Sequence, residues 1–179
     1  MAHPLRGVWN VSPLRQVRFS DYLAETRILV QMPAIPLVKA LLQLAETMVR
    51  DGLVKDPLGF YEDLSSQSSA SIARLGESGG AYRLSMHQVF SPALKRASAA
   101  MALSPAGIRL RRDQAAHLVI LSAGPEGLVS PGLALPSRIV NVLSEVSRRE
   151  RLLACPNASE VMARLIEYER FSEATAQGA

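Results

Sequence analysis

The chain has 179 residues, 48% of them hydrophobic, enough for one domain of ordinary size with a buried core. Its formal charge of +4 comes mainly from arginines that are scattered except at Arg109, Arg111 and Arg112 and at Arg148, Arg149 and Arg151. With one Trp, four Tyr and four Phe there is no dense basic stripe with aromatic residues between the charges, so nucleic acid is not the expected partner. The lone Cys155 excludes an intramolecular disulfide and a cysteine metal pair, and the longest apolar runs, HLVILSAG and GLALP, fall far short of the roughly 18 to 20 residues of a membrane helix, so a cytoplasmic chain without membrane insertion is expected.

Residues 1–18, MAHPLRGVWNVSPLRQVR, mix prolines and arginines with the sole tryptophan and keep no period, which reads as an N-terminal arm; Trp9 leaves a homodimer contact through that arm open. Ser20 can cap a helical turn through Leu23, and RILVQM (27–32) is a compact strand candidate. A helix starts at Pro36 and carries Leu37, Val38, Leu41, Ala45, Met48 and Val49 at a 3.6-residue period until Gly52 stops it. Asp56 and Pro57 start a second helix to about Leu64, followed by the Ser- and Gly-rich connection 65–80.

Three strands follow, Tyr82 to Val89, Ala97 to Leu103 and Ala115 to Ser122, the last apolar enough to be central; Arg109, Arg111 and Arg112 then read as a solvated turn. After the Gly/Pro loop 123–137 comes a helix with Ile139, Val140, Leu143 and Val146 on one face. A last helix is capped by Asn157, with Glu160 three residues on and Val161, Met162, Leu165 and Ile166 inward, and residues 171–179 form a tail. The order of elements predicts a three-layer α/β/α sandwich with a mixed central sheet over 19–170.

The segments FSDYLAETRILVQM, KALLQLAETMVRDGLVKDPLGFYEDL, YRLSMH, AAHLVILSAGP and IVNVLSEVSRRERLLACPNASEVMARLI, in this order, resemble the enzyme IIA domains of the bacterial sugar phosphotransferase system, in their mannitol, fructose and nitrogen-regulatory class. In that family a loop with Arg-Glu precedes a strand ending Ile-Pro-His, and its histidine takes a phosphoryl group from the histidine-containing phosphocarrier protein. The resemblance places His87 on that histidine. It also departs from the pattern: Met86 replaces the proline, Gln67 and Ser68 stand in place of Arg-Glu, and the family's second histidine maps near Pro136, with no histidine from Leu133 to Ile139.

Period 2 in YRLSMH sets Tyr82, Leu84 and Met86 on one face and Arg83, Ser85 and His87 on the other, away from the apolar face. A phosphoryl-accepting imidazole needs an unprotonated nitrogen and nearby donors. Ser85, on the same face, and Ser137, at a helix start by analogy with the family, are the candidate phosphate-binding residues. His117 matches no family site and reads as a hydrogen-bonded strand histidine. No cofactor or metal site is expected. The implied function is a nitrogen-regulatory type phosphocarrier that acts on a regulatory partner protein through His87; the alternative is a phosphorylation-dead enzyme IIA-like domain kept for protein binding.

Overall fold

Small side chains at Ala99, Ala100 and Ala102 let two layers of helix approach the same strand, and the fold is arranged around this. In the computed structural model, which describes residues 18–67, 82–125 and 138–177, β3 (Ser98–Arg111) and β4 (Gln114–Gly124) form a long antiparallel pair. β1 (Ile28–Leu29) joins β3 in parallel and β2 (Leu84–Phe90) joins β4 in parallel, giving a mixed sheet of order β1-β3-β4-β2. Alternate residues feed two separate cores. Ala100, Ala102, Val119 and Leu121 pack with α1 (Leu37–Arg50) and α2 (Pro57–Gln67), while Met101, Leu103, Leu118 and Ile120 pack with the later helices. Helices on both faces of a mixed sheet give the α/β sandwich expected from the element order, and no helix among the described residues is long and apolar enough to cross a membrane.

α1 buries Ala40, Leu41, Leu44, Ala45 and Met48, one stripe of its surface. It ends at Gly52, whose φ of +69° is the left-handed conformation that lets the amides of Gly52 and Leu53 bond Val49 O and Met48 O. The strand expected over 27–32 shrinks to two residues. Arg27 instead lies in a 3-10 turn, with its buried guanidinium donating to Ala99 O, Tyr22 O and Asp51 Oδ2. β3, in turn, runs on to Arg111, so Arg109 and Arg111 are strand residues and the turn is confined to residues 112–113.

The single helix expected after the loop is two. A helical segment at 138–142 stops, and α3 (Val146–Leu153) begins in a new direction, which leaves Val146 at 38% exposure instead of in line with Ile139 and Leu143. The break is held by arginines. Arg149 Nη1 donates to Leu143 O and Ser144 O, and Arg148 Nη1 to Val142 O, satisfying carbonyls that the end of a helix leaves unpaired.

In α4 (Ala158–Gln177), Asn157 Oδ1 accepts the Glu160 amide at 2.9 Å, the expected cap. The helix continues past 170, so residues 171–177 are not a separate tail. Packing explains the extension: the Arg148 guanidinium lies over the rings of Tyr168 and Phe171 and reaches Ser172 Oγ, and Glu173 accepts from both Arg18 and Arg138. One turn earlier Glu169, 1% exposed, accepts the amides of Phe19 and Ser20 and the Ser20 hydroxyl, tying the start of the chain to α4.

Replacing Glu169 by Leu leaves those donors buried without an acceptor. The expected loss is about 3 kcal/mol, or roughly 6 to 12 °C in Tm by thermal unfolding; a shift of under about 2 °C would contradict the anchoring role.

Candidate functional site

β2 forms one edge of the sheet among the described residues, and α2 packs against it. Its alternation is as the sequence implies: Met86, with Leu84 and Tyr82, enters the core under α3 and α4, and Val89 enters the opposite core with Phe60 and Leu64 of α2. Ser85 and His87 share Val89's side. That side is covered too, so His87 does not reach solvent as an alternating strand implies; it is 1% exposed and Ser85 3%.

The two polar side chains meet. Ser85 Oγ and His87 Nε2 share a hydrogen bond of 2.9 Å, with either the imidazole N–H or the hydroxyl as donor. Among the described residues His87 Nδ1 has no hydrogen-bond partner. Burial lowers the His87 pKa from 6.5 to about 4, because an imidazolium here would lose its hydration without gaining a counter-charge. The ring is therefore neutral at pH 7. Chemically, the pair offers an unprotonated imidazole whose tautomer is tied to one hydroxyl, inside a protein wall.

Gln67, the last residue of α2, was legible only as a departure from the family's Arg-Glu. Its amide accepts the Phe90 N–H at 2.9 Å and donates to Phe90 O at 2.7 Å, so it works like one more strand residue on the edge of β2. No sequence period signals such a bond. Ser137 lies outside the described residues. The helical segment that follows it places Ile139, Val142 and Leu143 in the core opposite to the side of His87, so the sheet stands between that segment and the imidazole. Arg138, its first residue, donates to Glu173 at 2.8 Å.

His117 is half-buried. Its backbone N–H bonds Arg83 O at 2.8 Å, its ring stands edge-on to Tyr82 at 5.5 Å between centroids, and burial, with Arg83 as the smaller cause, lowers its pKa. It is far from His87 along β4, four residues before Leu121, the residue paired with His87.

No family model matches the chain, and no curated protein matches it in sequence. Solved structures do. The nitrogen regulatory protein IIA-Ntr from Neisseria meningitidis superposes with a TM-score of 0.68 at 18% identity, covering 82% of this chain and 97% of that one. The IIA mannitol domain from Escherichia coli gives 0.65 at 21% identity over 80% and 98%, and a putative PTS IIA domain from Streptococcus pyogenes M1 GAS gives 0.66 at 15% identity over 85% and 97%. The chain has the fold of these phosphotransferase-system IIA domains over nearly their whole length.

Because the folded-state pKa of His87 lies below its unfolded value, the unfolded chain takes up a proton that the folded chain refuses between pH 6.5 and 4. His87 therefore detracts nothing above pH 6.5 and destabilises progressively as pH falls to 4, by about 2 to 3 kcal/mol in all. Urea unfolding of wild type and His87→Leu across this range isolates the effect: the difference in stability between them should shift in favour of the variant by that amount as pH falls. A pH-independent difference would contradict the buried, neutral ring.

Proposed function

We propose that this chain is an enzyme IIA-like domain that regulates a partner protein by binding it, without His87 serving as a phosphoryl carrier. The burial of the His87 ring, 1% exposed, carries this reading. Transfer between two proteins needs the accepting nitrogen to approach phosphorus to roughly 3 to 3.5 Å along the line of attack, and a carrier must present the same group again to a second protein. A ring buried to this degree offers neither approach. Its Nε2 is further engaged by the Ser85 hydroxyl.

Two further observations agree. Gln67, standing where the family has Arg-Glu, spends its amide on the backbone of Phe90, and the segment 133–139 holds no histidine to support the first. A protein ligand suits the fold: the IIA mannitol domain from Escherichia coli is solved in complex with phosphorylated IIB mannitol, and that structure matches this chain at a TM-score of 0.63 and 20% identity over 81% of it. A cytoplasmic regulator fits these features.

A second function, phosphoryl acceptance on His87 from a histidine phosphocarrier, is favoured by one observation. The imidazole is neutral, and its Nδ1 has no partner among the described residues, the state a nucleophile needs. Phosphate would then have to enter by opening the cover of β2, with Ser85 as the donor beside the ring; Ser137, expected as a second donor, precedes a segment on the other side of the sheet.

Incubation with phosphoenolpyruvate, the system's first enzyme and its small phosphocarrier decides between the two. The expected result is no acid-labile phosphate on the wild-type chain above the level of His87→Ala. Stoichiometric labelling that His87→Ala abolishes would overturn the binding-only function and establish the carrier.

A further inference from the structure

The outer half of the β3–β4 hairpin projects from the end of the sheet away from His87. Arg109 pairs with Ala115 and His87 with Leu121, which puts the arginine and the imidazole roughly 20 Å apart along β4. Ile108 and Leu110 pack with the α1 and α2 core and Arg109 stands between them, while a second bulge between Arg109 and Arg111 breaks the alternation before Arg111, with Arg112 at the turn. All three are exposed, as is Arg83 at the entrance to β2. Among the described residues no carboxylate stands within ion-pair distance of any of the four, whereas Arg18, Arg27, Arg138 and Arg148 are each engaged by one.

The ribbon is held firmly. A bulge separates Leu103 from Ile108, and Gly107 within it has a φ of +84° and no room for a side chain, since a Cβ would come 2.9 Å from that of Ala115. Ser104 Oγ donates to Met32 O at 2.6 Å and the Arg109 amide to Ile35 O at 2.9 Å, pinning β3 to the segment before α1. The backbone that carries these arginines is thus held in place, and each guanidinium can meet a carboxylate with two parallel hydrogen bonds.

We propose that this ribbon, formed by Arg109, Arg111 and Arg112, docks a carboxylate-rich segment of a partner protein. The ribbon is independent of the His87 end of the sheet and goes beyond the function assigned above. A protein segment suits it better than nucleic acid. Residues 105–116 include no aromatic ring for base stacking, and three arginines can neutralise only a few phosphates of a nucleic-acid backbone. Uncharged cross-strand neighbours, Ala115 and Gln114, leave the charges unopposed.

Fluorescence anisotropy of labelled oligoglutamate and of a short DNA duplex, each titrated with the full chain at low salt, tests the proposal. Arg109→Gln/Arg111→Gln/Arg112→Gln should weaken oligoglutamate binding about tenfold or more, three surface charge contacts together contributing about 1.4 kcal/mol. Arg50→Gln, which removes a charge from α1, should change it by less than about twofold, and the triple variant should keep the wild-type Tm. No binding of oligoglutamate by the wild type, equal binding by the triple variant, or tighter binding of the duplex through the same arginines would each overturn the proposal. Phosphate labelling of His87 bears only on the other end of the sheet, so the two tests fail separately.

Discussion

The constraint on which this structure depends is that the β3–β4 pair is buried on both faces. Ala99 and Met101 look one way, Ala100 and Ala102 the other, and every one of them is out of solvent. A strand laid beside such a pair inherits two interiors and no outside. That is the position of β2, and it makes His87 an interior residue although its neighbours alternate as in a half-exposed strand. Placing a hydroxyl and an imidazole there is costly, because the hydrogen bond they share leaves Nδ1 without a partner among the described residues. The cost is limited by keeping the ring neutral.

Charge is handled at the margins of the two cores, and arginine does most of it. Arg27 gathers two carbonyls and Asp51, Arg148 and Arg149 cap the end of the helical segment at 138–142, and Arg18 and Arg138 meet on Glu173. With Glu169 beneath Phe19 and Ser20, these contacts gather the beginning of the described chain, the helices after β4 and the long α4 into one layer. The arginines of the hairpin meet no carboxylate among the described residues, which is why that end of the sheet stands out.

Much of the fold was legible because local chemistry and tertiary packing agree. The period of α1, its stop at Gly52, the cap at Asn157 and the continuous apolar run of β4 all survive. What the sequence could not give depends on partners distant in the chain. Arg149 interrupts a helix whose apolar period continues to Val146, and Arg27 bends into a 3-10 turn to reach Asp51, ending a strand that hydropathy would lengthen. Residues 171–177 remain helical through contacts with Arg148, Arg18 and Arg138. At the candidate site, alternation correctly divided Ser85 and His87 from Met86, but it reports sides and not what covers them. The Gln67 clamp that joins the end of α2 to Phe90 likewise has no periodic signature.

Hydrogen exchange at the imidazole C2 position, followed by mass spectrometry as a function of pH, reads both the access and the protonation of His87 in the native chain. A buried, neutral ring should exchange far more slowly than the histidine of a short unstructured peptide and titrate near pH 4. Exchange at the rate of that free peptide with a midpoint near 6.5 would mean a solvated histidine, and the interior placement that excludes it from phosphoryl transfer would be contradicted.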